Sequence, residues 1–368
     1  MFRMIQIAMP QRPSAAMPLM AFLLLVLGGC QNPGPRAIEA SRTDYNTAIL
    51  ETDDEQLLLN LVRLRYRDRL MFLEAASVTT QFSFGASAGA AYGYQSLARE
   101  NSVIDGRILI EEKPTVTYQP LQGKEFVEKV LTRISLDTLV LLDGSGWSSE
   151  RVFRVCVERM NDLRNATSAD GPTPVDAPVF KDFERAAFLL QELRELDMFA
   201  GARTPGEERS VIRFRPEAAD LDQYKELVEL LQLDPNRRVF SLENTLDRRD
   251  GRTLSIRTRS FQGVMYFLSH AVEVPEADIA AGRVTTTVDD DGQPFDWGTV
   301  TAGLMRIRTS SERPDNAAVA VAYRGNWFYI DDSDLDSKST FSMLGQIYAL
   351  QSSDVRVAAP LLTLPVGD

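Results

Sequence analysis

Two hydrophobic periods alternate along most of the chain, one near 3.6 residues and one of 2, and the switches between them mark out its elements. Thr52-Asp53-Asp54-Glu55 reads as a capping box ahead of Leu57, Leu58, Leu61, Val62 and Leu64, which predicts a helix beginning near Asp53. A β region follows over about 75–117. Segments 123–131 and 136–142 read as short helices broken by Asp143-Gly144-Ser145-Gly146. A longer helix is predicted over 149–163, with Val152, Phe153, Cys156, Val157 and Met160 on one face. Three prolines among small polar residues make 166–178 the best candidate for a domain boundary, and 180–198 is again helical.

After Thr204-Pro205-Gly206 the order is strand 210–215, helix 217–231, strands 239–242 and 253–257, helix 262–271 and strand 304–308. That is the β-α-β-β-α-β order of ferredoxin-like domains. Segments 318–323 and 327–330 pair as a hairpin about Arg324-Gly325-Asn326, and Ser333-Asp334-Leu335-Asp336 caps a last helix running to about Leu350. No repeat of solenoid or propeller length is present. The expected fold class is therefore α+β: a helix-rich region with a β-hairpin over 41–164, and an α+β domain over 179–368 that contains the β-α-β-β-α-β unit.

Residues 17–30 form an apolar run that ends in Leu27-Gly28-Gly29-Cys30, preceded by Arg3 and Arg12 and by no acid. This is the layout of an export signal, and its core, 19–27, is well short of the about 20 apolar residues that span a bilayer. A cysteine directly after two glycines resembles the lipobox of bacterial lipoproteins, with Gly28 where Ala, Ser, Thr or Val is commoner. The resemblance implies that the Cys30 thiol takes a diacylglycerol, that 1–29 is removed as a signal peptide, and that the new amino terminus is acylated with palmitate-class chains. In Gram-negative lipoproteins an aspartate after that cysteine favours the inner membrane. Here it is Gln31, which implies the outer membrane, lipid-anchored, with the body facing the periplasm. Residues 30–40, with Asn32-Pro33-Gly34-Pro35, read as a tether reaching at most about 35 Å.

Removal of 1–29 takes away two arginines and no acid, leaving 38 basic against 52 acidic side chains, a formal charge of −14 on 339 residues. That balance argues against nucleic acid as a partner, since phosphate binding needs a basic footprint. With Cys30 acylated, Cys156 is the one remaining thiol, so no intrachain disulfide is expected and Cys156 reads as a buried small hydrophobe.

Segment 81–95, QFSFGASAGAAYGYQ, alternates strictly. Phe82, Phe84, Ala86, Ala88, Ala90, Tyr92 and Tyr94 fall on one face, and the odd positions 83–93 are all Ser, Gly or Ala. Aromatics at both ends with small residues between suit a lipid-facing strand, making Phe82, Phe84, Tyr92 and Tyr94 candidate membrane or partner contacts. A weaker partner strand lies at 104–111, where Leu109 breaks the pattern. Two such strands would be one protomer's share of an oligomeric barrel, because a lone pair leaves open edges in lipid. The same alternation also suits a half-buried soluble hairpin.

Gly85-Ala86-Ser87-Ala88-Gly89 matches the nucleophile elbow G-x-S-x-G formally, with His270 as the one histidine able to serve Ser87. No helix pattern follows Ser87, and His270 sits in an apolar helix, so a packed histidine is the expected role. Asp289-Asp290-Asp291-Gly292 fails the calcium-loop pattern at both ends, and Asp331, Asp332, Asp334 and Asp336 suit a helix start, so no metal is expected. No nucleotide or cofactor motif is found, and no cofactor is expected. Arg237, Arg238, Arg248, Arg249, Arg252, Arg257 and Arg259 form a basic run that suits a solvated strand face, or a surface for anionic lipid or an acidic partner.

The stretch Tyr323-Arg324-Gly325-Asn326-Trp327-Phe328-Tyr329-Ile330-Asp331-Asp332, with Asp334-Leu335-Asp336-Ser337-Lys338-Ser339-Thr340-Phe341 after it, and the stretch Leu58-Leu59-Asn60-Leu61-Val62-Arg63-Leu64-Arg65-Tyr66 resemble an uncharacterised family of Gram-negative outer-membrane lipoproteins. That resemblance brings no activity with it. The expectation is a non-enzymatic binding or assembly role in the cell envelope, with the membrane met through Cys30 and an envelope protein or further copies of the chain as partner. The alternatives are an oligomeric pore or secretion accessory using the amphipathic β segment 81–111, and a serine hydrolase.

Overall fold

The computed structural model describes residues 33–91, 103–203, 210–245 and 250–351. The capping residues that predict a helix start at Asp53 sit inside a longer helix, α1, Pro33–Arg65. The Thr52 hydroxyl donates to the Ile49 carbonyl at 2.9 Å, so it bonds back into its own helix instead of capping a new one. The tether expected over 30–40 is thus helical from Pro33 onward. Prolines at the first turn cost a helix nothing, because those N–H groups have no intrahelical partner. The chain divides into two units between Thr52 and Asp53, and every strand and all helices after α1 belong to the second.

From Asp53 on, α1 buries Leu57, Leu58, Leu61, Val62 and Leu64. It ends with Arg67 in the left-handed region (φ 62°) and Asp68 N–H bonded to the Arg63 carbonyl at 2.8 Å. Strands β1, Leu73–Ala91, and β2, Val103–Pro120, then pair antiparallel into a two-stranded sheet of their own. A short helix α2, Gly123–Phe126, runs on into a π-helical turn, Val127–Leu131. Helix α3, Leu136–Gly144, is capped by Ser135, whose hydroxyl accepts from Thr138 N–H at 3.0 Å.

The helix expected over 149–163 stops early: α4 is Ser149–Cys156, and Val157–Met160 and Leu163–Arg164 are strands β3 and β4. What ends it is Arg259, 1 % exposed, whose Nη1 donates to the carbonyls of Arg154, Val155 and Val157 at 2.9, 3.1 and 2.9 Å. Carbonyls taken by a guanidinium are diverted from the helical ladder.

Helix α5, Lys181–Glu195, strand β5, Phe199–Arg203, strand β6, Ser210–Phe214, helix α6, Asp222–Leu230, strand β7, Val239–Glu243, and strand β8, Thr253–Thr258, follow. Six strands form one sheet in the order β4-β3-β8-β7-β6-β5, with β7 and β8 parallel and the other neighbours antiparallel. This corrects two expectations. The division at 166–178 is not a domain boundary, because β3 and β4 before it share a sheet with β5–β8 after it, and Ala166, Ala169 and Thr173 within it are buried. The ferredoxin-like arrangement does not form either: β6 and β7, joined by α6, are antiparallel, and the last strand belongs elsewhere.

That last strand is β9, Arg308–Ser310, which pairs with β11, Asn326–Asp331, beside β10, Ala317–Tyr323. The β10–β11 turn is the expected one, with Arg324 and Gly325 at φ 49° and 83° in the two-residue loop. Three helices lie between β8 and β9: α7, Phe261–Ser269, α8, Glu276–Ala280, and α9, Gly298–Thr301. The final helix, α10, Leu335–Gln351, starts where expected, with Asp334 Oδ1 accepting from Ser337 N–H at 3.1 Å. The fold is α+β. Among the described residues, no helix is long and apolar enough to cross a membrane.

Candidate functional site

The β1–β2 ribbon is held at its root by two side-chain amides one turn apart on α1. Gln56 Oε1 accepts from Leu73 N–H at 2.6 Å and its Nε2 donates to the Leu73 carbonyl at 3.3 Å. Asn60 Oδ1 accepts from Met71 N–H at 3.1 Å and its Nδ2 donates to the Met71 carbonyl at 2.8 Å. Each amide thus meets both polar groups of one backbone residue, as a neighbouring strand would. Between them Phe72 is buried, its ring stacked on Tyr348 at 5.1 Å and tilted against Phe261 at 6.2 Å, and its carbonyl accepts from Leu121 N–H. Both ends of the ribbon are therefore pinned to the body.

Charge locks the same place. Lys129 Nζ lies 2.8 Å from Glu74 Oε1 and 3.2 Å from Glu125, and the Tyr348 hydroxyl donates to Glu74 Oε1 at 2.9 Å. Burial alone would lower the Lys129 pKa, but the hydrogen bonds it donates to Glu74 and Glu125 outweigh that and hold the ammonium charged. Burial, and then the Glu74 charge, raises Tyr348. Asp53 is raised by burial and by Glu74, and Asp54 by burial and by Asp53.

Every position from Thr115 to Pro120 is exposed, so neither face of β2 packs there. A half-buried hairpin would alternate at these positions. Among the described residues no third strand pairs with β1 or β2, so past Leu73, whose polar groups Gln56 takes, neither outer edge has a neighbouring strand.

The register decides what each face carries. Phe84, Ala86, Ala88 and Ala90 stand opposite Ile110, Ile108, Gly106 and Ile104, so the apolar positions of both strands share one face. Ser83, Ser87 and Gly89 stand opposite Glu111, Arg107 and Asp105 on the other. Leu109, the position that breaks the alternation, falls on the polar face opposite Gly85. Phe84 stands on the apolar face opposite Ile110, and Phe82 on the same face opposite Glu112, while Tyr92, Tyr94 and Cys30 lie outside the described residues. Ser87 is mid-strand with the ladder continuing on both sides, not at the strand-to-helix turn that the elbow chemistry requires.

The remaining candidates are distributed through the body. His270 closes α7, 4 % exposed, with Nδ1 2.7 Å from the Tyr266 carbonyl and its ring on Trp297 at 3.9 Å. Burial, reinforced by the charge of Arg65, lowers its pKa to about 3. Cys156 is buried, which pushes its thiol up to about 12. Asp289 Oδ1 accepts from Asp291 and Gln293 N–H within its own turn. In the other acidic stretch Asp331 binds Ser333, Asp332 pairs with Lys338, Asp334 caps α10 and Asp336 pairs with Arg151.

The strand within the basic run is not a solvated face, although Arg252 before it is exposed and Arg237 and Arg238 are half-buried. Thr253 to Ile256 are buried at every position, Arg257 pairs with Glu158 at 3.1 Å, and Arg259 lies in the core. Arg248 and Arg249 lie outside the described residues. By sequence Gln56 and Asn60 are assigned no structural role, and Arg259 is placed only in the basic run, not in the core. The first two carry a readable signal, amides four apart beside an apolar stripe, and Arg259 carries none. Comparisons of the chain with protein-family models, with curated proteins and with solved structures gave no match.

Proposed function

We propose that this is an outer-membrane lipoprotein, anchored through acylated Cys30 with its body in the periplasm, whose work is non-enzymatic assembly: its β1–β2 ribbon pairs edge to edge with the ribbons of further copies to close a barrel. The observation that carries this reading is the register, which puts Phe84, Ala86, Ala88 and Ala90 on one face with Ile110, Ile108, Gly106 and Ile104, Glu112 standing at the end of that face opposite Phe82, while neither edge has a neighbouring strand among the described residues. A two-stranded ribbon in lipid needs its edges satisfied, and closure is the way a sheet achieves that. The stretch from Phe82 to Ala90 approaches the about 9–11 residues with which a tilted strand crosses an outer membrane. The pinned root suits the role, since ribbons that must meet in one register need a fixed exit direction. Cys30 enters through the lipobox resemblance and Gln31 through the sorting pattern.

The test uses the full chain with Cys156 replaced and single cysteines at positions 82–90, in membranes and in mild detergent. Fluorophores on even sites quenched by lipid-borne quenchers, odd sites unquenched, and a discrete multimer in detergent are expected. A monomer with no quenching at any site rules the barrel out and leaves a monomeric adaptor.

A further inference from the structure

A cleft of about 670 Å³ opens between α7, α9 and the start of α10, a volume in the range of small-molecule sites. Trp297, Phe295 and Leu304 give it apolar wall, with the two aromatic rings edge to face at 5.3 Å. Its polar lining includes two groups left incomplete by the protein, Arg65 and His270.

Arg65 is 9 % exposed. Its Nη1 donates to Thr173 Oγ1 at 3.0 Å and more weakly to the Thr285 carbonyl at 3.4 Å, while its Nε is buried without a partner. Among the described residues it forms no ion pair, and burial lowers its pKa with no carboxylate to offset the loss. A guanidinium in that position is a buried cation lacking a counter-ion, which proteins normally supply.

His270 is incomplete in the opposite sense. Carbonyls of Tyr266 and Phe267 lie 2.7 and 3.2 Å from Nδ1, so Nδ1 carries the proton and Nε2 is a lone pair. That Nε2 is buried without a partner. The carboxylates around the mouth are already engaged elsewhere and do not neutralise Arg65. Glu273 pairs with Arg306 at 2.6 Å, Asp336 with Arg151 at 2.8 Å, Asp334 caps α10, and Asp296 accepts from Gly298 N–H.

We propose that this cleft binds a small carboxylate bearing an N–H or O–H on the neighbouring carbon, with the carboxylate on the Arg65 guanidinium and the donor on His270 Nε2. A carboxylate matches the two-pronged guanidinium and supplies the missing charge. The adjacent donor is what separates this ligand from a bare anion, since an uncharged imidazole nitrogen offers only a lone pair. An α-hydroxy acid, an α-amino acid and a peptide C-terminus share this chemistry. The site is independent of the ribbon and stands or falls without it.

The chain holds one histidine, so imidazole ¹⁵N signals from full-length protein labelled at histidine and purified without a histidine tag report this site alone. Lactate, alanine and the dipeptide Gly-Ala are titrated beside their amides and beside acetate, and the tightest arm identifies the source. A saturable shift of the Nε2 resonance by at least one acid is expected, weakened about tenfold or more for its amide and for acetate. Arg65→Lys, which keeps the charge and loses the fork, is expected to weaken binding by a similar factor. No saturable shift below about 10 mM with any acid, or amide or acetate binding as tightly as the acids, overturns the proposal, and neither reading depends on the variant folding.

Discussion

His270→Gln tests the packing of the body through a pH dependence whose size follows from the structure. In the folded chain His270 is buried and neutral with a pKa near 3, against 6.5 for the free imidazole. Burial is the main cause, and the charges of Arg65 and Arg259 act in the same direction, while the carbonyls of Phe267 and Tyr266 oppose them. Because the folded value is the lower one, the unfolded chain takes up the proton first. Stability from this group is complete above about pH 6.5 and is lost as pH falls toward 3. At about 1.36 kcal/mol per pH unit, the wild type loses about 2 kcal/mol between pH 7.5 and pH 5 through His270 alone. Glutamine at this position does not titrate. Carboxylates that protonate in the same range are common to both proteins and cancel in the difference. Urea unfolding of wild type and His270→Gln at the two pH values should therefore show the gap between them shifting by about 2 kcal/mol in favour of the variant at pH 5. A gap that stays constant with pH would refute the buried, neutral assignment, whatever the variant costs at pH 7.5.

Cys30→Ser at unchanged expression should leave an unprocessed or soluble form; recovery of a mature outer-membrane form would contradict the lipobox reading. Ala88→Arg, on the apolar face, should block multimer formation at a cost of about 2–4 kcal/mol if that face meets lipid, while Ser87→Arg beside it should be mild, and equal effects on detergent sizing would argue against an inserted ribbon. Gln56→Ala leaves the N–H and C=O of Leu73 without their partner and should destabilise the ribbon root by about 1–3 kcal/mol, read as faster amide exchange at Leu73. Arg259→Met removes the partner of Asp170 and of four carbonyls, so a loss of about 3–5 kcal/mol is expected in urea unfolding, and a loss under about 1 kcal/mol would show that α4 ends for another reason.

What could be read in the chain was whatever is decided locally. The Arg324-Gly325 turn works because both residues adopt positive φ, and Asp334 caps α10 through its own side chain. The two ribbon strands follow from an alternation that their own residues carry. The strand Val157–Met160 was hidden because Val157 and Met160 continue the helical spacing of Val152, Phe153 and Cys156. The group that diverts them, Arg259, lies about a hundred residues later. Prolines around 172–178 look like a linker by composition, yet Thr173 is buried and accepts a hydrogen bond from Arg65. Arg65 itself, in the last turn of an amphipathic helix, reads as an ordinary dipole partner, and its isolation from carboxylates is a tertiary fact.

The two edges of the ribbon are not alike, and the difference bears on how copies would join. Residues 77–91 of β1 carry no charge and no proline, whereas β2 carries Asp105, Arg107, Glu111, Glu112, Lys113 and Pro114. Charges and proline are what natural sheets use to keep an exposed edge from pairing, so β1 is the undefended edge. In a ring, β1 of one copy would meet β2 of the next, the same two sequences that already pair within the copy. Their internal register puts Asp105, Arg107 and Glu111 on the face opposite Phe84, Ala86 and Ala88. If the same parity holds between copies, every ribbon would turn Phe84, Ala86 and Ala88 outward, with Glu112 at the end of that face opposite Phe82, and line the interior with Ser, Gly, Leu109 and those charges. A slip by one residue would exchange the faces and carry Arg107 into lipid, so in such a ring the polar face would itself enforce the register between copies.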